Sequence, residues 1–98
     1  MPFVQIIRFQ SSKLAEMQAL LDDWAAAETD GSVRRVLVCR DRNNPDQHAH
    51  LAFFDSYESA MAHSDLPQTQ AFAARMSELV DGPPTFYDLD IERDLQFG

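Results

Sequence analysis

Four short runs rich in β-branched and aromatic residues are separated by stretches in which apolar residues recur every three or four positions, and that order restricts the chain to few folds. FVQIIRF (3–9), VRRVLVCR (33–40), QHAHLAFF (47–54) and TFYDLDI (85–91) have strand composition. Between the first two, Leu14, Met17, Leu21 and Trp24 mark one helix face over 13–28, widened by Leu20, Ala25 and Ala27. Between the last two, YESAMAHSD (57–65) reads as a short helix that Pro67 interrupts by removing an N–H. A second helical segment from about Gln68 sets Phe72, Ala73, Met76, Leu79 and Val80 on one face. Boundary signals agree. Ser11 and Ser12 offer N-caps, TDGS (29–32) is a turn with Gly31 as C-cap, and DRNNPDQ (41–47) is a polar loop. Asp55 (in a capping box with Glu58) or Ser56 caps the next helix, and DGPP (81–84) ends the last one through Gly82.

The order is β-α-β-β-α-β. Two βαβ units joined strand to strand predict an α+β, ferredoxin-like sandwich: a four-stranded antiparallel sheet with two helices on one face. At 98 residues the chain is one domain, 1–98, with one core. The strands do not alternate apolar with polar. Phe3, Ile7 and Phe9 oppose Val4 and Ile6; Leu37 and Cys39 oppose Val36 and Val38; Leu51 and Phe53 oppose Ala52 and Phe54. Both sheet faces therefore require cover, and two helices supply one side only. A homodimer packed sheet to sheet is the expected solution.

Sixteen acidic and eight basic residues give a net charge of −8, which repels phosphate backbones and anionic membrane surfaces. Neither nucleic acid nor membrane is an expected partner. A single cysteine, Cys39, excludes an internal disulfide and, within VLVC, reads as a small buried hydrophobe. No signal peptide is apparent at the N-terminus, and no apolar run approaches the ~20 residues that cross a bilayer. The expectation is a soluble cytoplasmic protein.

His48 and His50 project to the same side of a strand, a real metal-ligand spacing. A working site needs a third ligand, and His63 is the only other histidine. The pair reads as a half-exposed strand entrance rather than a metal site. His63 is the stronger single candidate, because a neutral imidazole can move a proton near pH 7; its structural alternative is a helix-end histidine satisfying a carbonyl or the macrodipole. Trp24, Phe54, Phe72, Met76 and Tyr87 are candidates to line a cavity for a flat organic ligand, or else core. Gln5 and Arg8 are polar insertions on opposite faces of the first strand, and Arg8 is a candidate partner for Asp88 or Asp90, which belong on a solvated or dimer-rim face. No glycine-rich nucleotide loop, nucleophile elbow, C-x-x-C or H-E-x-x-H is present.

FFDSYESAMAHSDLPQTQAF and LVDGPPTFYDLDI resemble the dimeric α/β-barrel superfamily, within it the small proteins grouped with antibiotic-biosynthesis monooxygenases. Phe54, Ser56, Ala60, His63 and Pro67 stand at the matching places. The resemblance implies two ferredoxin-like subunits joining their sheets, with His63 beside a pocket between helices and sheet. It departs at Ala52, where the monooxygenases commonly carry an acid, and at Gln68, where a second histidine often follows the proline. Haem-degrading relatives carry an asparagine and a tryptophan where this chain has Gln5 and His63, so haem degradation is not implied. What is implied is oxygenation of a small aromatic or polyketide-like substrate without a cofactor, His63 acting as catalytic base or donor. The alternatives are a non-catalytic dimeric domain binding a small hydrophobic metabolite or serving as an accessory subunit, and a metal site on His48 and His50.

Overall fold

The computed structural model describes residues 1–28 and 30–98; of the predicted 29–32 turn, Thr29 lies outside the described residues, and Gly31 takes a left-handed φ of +79°. The elements are β1 (Phe3–Gln10), α1 (Leu14–Ala27), β2 (Val33–Arg40), β3 (Gln47–Phe54), α2 (Tyr57–Ser64), α3 (Pro67–Ser77) and β4 (Thr85–Asp90). The strands form one antiparallel sheet in the order β2-β3-β1-β4. This is the predicted ferredoxin-like arrangement, with its second helix broken into α2 and α3. Pro67 sits in the first turn of α3, where the missing N–H costs nothing.

Register divides the side chains between two layers. Phe3, Gln5, Ile7 and Phe9 of β1 align with Phe54, Ala52, His50 and His48 of β3 and face the helices. Phe9 joins Met17, Leu20 and Met76 in one buried cluster; Phe3, Phe54 and Ala60 form another. A bulge in β2 between Val33 and Arg35 changes the strand's parity, so Val33 beside Phe54 and Val36 beside Ala52 both turn inward. The bulged Arg34 is left to pair with Asp55 at 2.7 Å on the surface.

Several terminal assignments differ from expectation for identifiable reasons. Because Asp55 is engaged by Arg34, Ser56 caps α2, its Oγ accepting the Ser59 N–H at 3.1 Å. The N-cap of α1 is Lys13, without a side-chain bond. Ser11 instead is buried at a corner: its Oγ donates to the Leu79 carbonyl at 2.7 Å and accepts the Lys13 N–H at 3.1 Å. α3 ends at Ser77, before Gly82, yet Leu79 and Val80 still pack on the Phe9 cluster because this corner holds them there. Cys39 is exposed, since Leu37, Cys39, Leu51 and Phe53 share the face that no helix covers.

The face of β4 is the reverse of the expected one. Tyr87 aligns with Ile6 and Leu89 with Val4, so both lie on the open face, 41% and 46% exposed. Asp88 and Asp90 align with Gln5 and Phe3 on the helix side, and Asp88 accepts from Gln5 Nε2 at 3.2 Å. Helices α1–α3 do not extend over this edge strand, so the carboxylates stay hydrated there while the apolar residues continue the open face. Arg8 aligns with Thr85 and pairs with neither aspartate.

His48 and His50 are each 6% exposed, not half exposed as their position suggested. Phe9 lies between them, stacked on His48 at 5.4 Å and edge-on to His50 at 4.8 Å. No cluster of three His, Cys, Asp or Glu residues suited to a metal occurs among the described residues. Burial, reinforced by repulsion from His48, depresses the His50 pKa to about 4. The unfolded chain, with His50 near 6.5, then takes up a proton that the folded state refuses. This contribution to stability is complete above pH 6.5 and is lost as pH falls toward 4. In urea unfolding at pH 7, 5.5 and 4, His50→Gln will flatten the acid decline by on the order of 2 kcal/mol relative to wild type. Equal declines in the two proteins would refute the assignment. Ser11→Ala, which strands the Lys13 N–H and the Leu79 carbonyl, will lower stability by about 1–3 kcal/mol in the same assay.

Candidate functional site

The helix layer and the sheet enclose a cavity of about 330 Å³. Its floor is the inward face of the sheet, where Ala52 is small enough to leave depth between His50 and Phe54. Leu21 and Trp24 enter from α1, His63 from α2, and Thr69, Phe72 and Met76 from α3. Phe86 and Pro84 stand at the β4 edge. The walls are predominantly apolar, with a few polar groups set into them, the usual constitution of a small-molecule site.

Of the residues singled out from sequence, Trp24, Phe54, His63, Phe72 and Met76 come together around this space. Tyr87 does not. Its alignment with Ile6 sends it to the opposite face, so it is removed from the group. Met76 serves both roles that were weighed for it, at 6% exposure in the core cluster while touching the cavity.

His63 is fixed from three sides. It closes the last turn of α2 and is 5% exposed. Its ring sits 5.5 Å from that of Phe54 and edge-on to Trp24 at 6.2 Å. Nε2 meets a carboxylate oxygen of Glu28 at 2.8 Å, and Nδ1 lies 3.4 Å from Thr69 Oγ1. With a carboxylate on Nε2, the neutral ring carries its proton there and presents Nδ1 as the acceptor. Glu28 was not foreseen. It is the residue immediately after α1, 35 positions from His63, and nothing local to its sequence distinguishes it from the other surface acids. Of the structural alternative, the carbonyl contact is replaced by a side-chain carboxylate, while the place of His63 in the last turn of α2 keeps it at that helix's negative end.

The other polar residues along the cavity are Gln5 and His50 on the floor and Ser64, Gln70 and Ser77 on the helices. Sequence placed Gln5 among possible ligand contacts and His50 among metal ligands; neither had been placed in the same space as His63. The signal was available in the strand register, because Gln5, His50 and Phe54 share parity once β1 and β3 are aligned. Among the described residues, Trp24 Nε1 and Ser32 Oγ are buried without hydrogen-bond partners.

No family model matches the chain, and no curated protein sequence matches it. Solved structures do. Rv0793 from Mycobacterium tuberculosis superposes with a TM-score of 0.81 at 17% identity, over 98% of this chain and 100% of that one. A protein from Caulobacter crescentus CB15 assigned to the antibiotic biosynthesis monooxygenases gives 0.82 at 18% identity, covering 94% and 91%. SnoaB, a cofactor-independent oxygenase from Streptomyces nogalater, gives 0.79 at 14% identity, covering 96% of each. At such identities the likeness is one of fold: the chain has the ferredoxin-like architecture of the antibiotic-biosynthesis-monooxygenase structures.

Proposed function

We propose that this protein is a monooxygenase-like enzyme that binds a small aromatic or polyketide-like molecule in the cavity and oxygenates it without a cofactor, with His63 as the catalytic base. The observation that carries this reading is His63, set in the wall of an apolar cavity and held from behind by the Glu28 carboxylate at 2.8 Å. An imidazole oriented by a carboxylate, with its second nitrogen an acceptor met only by the long 3.4 Å contact from the Thr69 hydroxyl, is the arrangement of a general base. His63 Nδ1 would take the proton of a phenol or enol. The resulting carbanion reduces dioxygen, one oxygen atom becoming bonded to the substrate carbon and the other leaving as water. The electrons come from the substrate, as they must in a cofactor-independent oxygenase such as SnoaB is named to be. Trp24, Phe54, Phe72 and Met76 would hold the ring system.

Oxygen uptake with a panel of anthrones and dihydroxynaphthalenes tests the reading. Wild type is expected to consume oxygen with no cofactor added. His63→Ala will lower the rate at least 100-fold while leaving affinity within a few fold. Binding without uptake would instead establish a non-catalytic metabolite-binding domain. Glu28 is a positioning residue in this scheme: ¹⁵N NMR of the imidazole will find the proton of the neutral ring on Nε2, and Glu28→Gln will redistribute it toward Nδ1. A ring already protonated at Nδ1 in wild type would remove the base from the scheme.

The working unit in this proposal is a homodimer joined through the open face. Ile6, Leu37, Leu51, Phe53, Tyr87 and Leu89 share that face, and an apolar surface of this kind is atypical of a monomer. A single unpaired cysteine suits a reducing, cytoplasmic setting. Native mass spectrometry is expected to give a dimer mass for wild type and a monomer for Leu51→Glu; a wild-type monomer would exclude the sheet-to-sheet unit.

A further inference from the structure

We infer that His50 is a ligand-contacting residue, forming a second polar pole of the cavity opposite the His63–Thr69 pole and hydrogen-bonding an uncharged hydroxyl or carbonyl at the far end of the bound ring system. The inference rests on the cavity being a ligand site and adds to it a requirement on the ligand: oxygen functions at both ends.

Three observations converge on this residue. His50 is 6% exposed and lines the cavity from the sheet floor. No side-chain hydrogen bond among the described residues engages its ring, in contrast to His63, both of whose nitrogens have partners. Yet its nitrogens are absent from the sealed, unpartnered side-chain atoms, which among the described residues are Trp24 Nε1 and Ser32 Oγ. They therefore open onto accessible space, and the space that His50 borders is the cavity. Buried polar groups in folded proteins almost always have partners, and one aimed at a cavity is completed by what the cavity holds.

The ring is also prepared for that contact. Phe9 meets it edge-on at 4.8 Å and limits its rotation. Its pKa of about 4 keeps it neutral, so at pH 7 it offers one donor and one acceptor and no charge. A neutral buried imidazole discriminates against ligands that leave it unpaired, because an unmade buried hydrogen bond is costly. Spacing sets the length of the ligand. Phe54, over which His63 sits, lies four residues from His50 on the same strand face, about 13 Å along β3. A fused two-ring diol with a hydrogen bond at each end has that reach.

The test compares 2,6-dihydroxynaphthalene with 2-naphthol by isothermal titration calorimetry. The wild-type protein is expected to bind the diol about fivefold more tightly, the factor typical of one neutral hydrogen bond. His50→Leu will abolish that preference while holding 2-naphthol within about twofold; His50→Gln, which keeps donor and acceptor, will retain most of it. A preference that survives in His50→Leu, or wild type binding both probes equally, overturns the role of His50 and leaves the cavity reading standing. Failure of wild type to bind either probe overturns the cavity reading and this inference with it. The wild-type preference is decisive even where leucine is not tolerated.

Discussion

The alternation of β1 between β3 and β4 is the constraint on which the rest depends. This strand is paired on both sides, so its register fixes the parity of its two neighbours at once. Phe3, Gln5, Ile7 and Phe9 point to the helices, and that choice carries His50, Ala52 and Phe54 of β3 with them. A slip of β1 by one residue against β3 would bring Val4 and Ile6 inward beside His50 and Phe54 and turn Gln5, Ile7 and Phe9 to the open face. The site and the core are thus set by one decision. The bulge in β2 extends the same parity to the other edge by bringing both Val33 and Val36 inward.

A closed core would follow from this if the helices were continuous and their inward residues large. They are not. The break at Leu66–Pro67 lets α2 and α3 take different directions, and Ala52 and Ala73 face the same space from sheet and helix. Packing then divides into two buried clusters, Phe9–Met17–Leu20–Met76 and Phe3–Phe54–Ala60. The cavity borders both, taking Met76 from one and Phe54 from the other. The Glu28–His63 contact ties the residue following α1 to the end of α2.

Element order, strand limits and the helical break were legible in the sequence because each rests on local chemistry: β-branched runs, three- and four-residue spacing, and a proline. Four of the five predicted aromatic and methionine cavity residues were legible for the same reason, since their spacing puts them on inward faces. Tyr87 was misassigned because β4 alternates apolar and acidic residues, and alternation alone does not say which set faces the helices. Only the alignment of Tyr87 with Ile6 does. Cys39 was misread in the same way, as a buried residue in an apolar run whose apolar face happens to be the open one. The role of Glu28 and the place of His50 on the cavity floor were not legible for a different reason. Their roles come from contacts 35 residues apart in one case and from the contour of the floor in the other, and neither leaves a local pattern.

Buried polar groups distinguish a binding site from a loosely packed core. A domain selected for packing alone gains by replacing a buried acid–base pair with hydrocarbon of similar volume, since desolvation of both groups offsets much of their attraction. Here Glu28 and His63 are 13% and 5% exposed, they meet across 35 residues of sequence that include β2 and β3, and His63 lines the cavity. His50 adds an imidazole whose burial lowers stability in acid. Each of these features costs the fold something, and both histidines line the cavity that also gathers Trp24, Phe54 and Phe72. Core packing accounts for the aromatics but not for the polar groups among them. Under the proposed function, a ligand with a flat apolar body and hydrogen-bonding ends would account for both, because it would supply partners to those polar groups on binding.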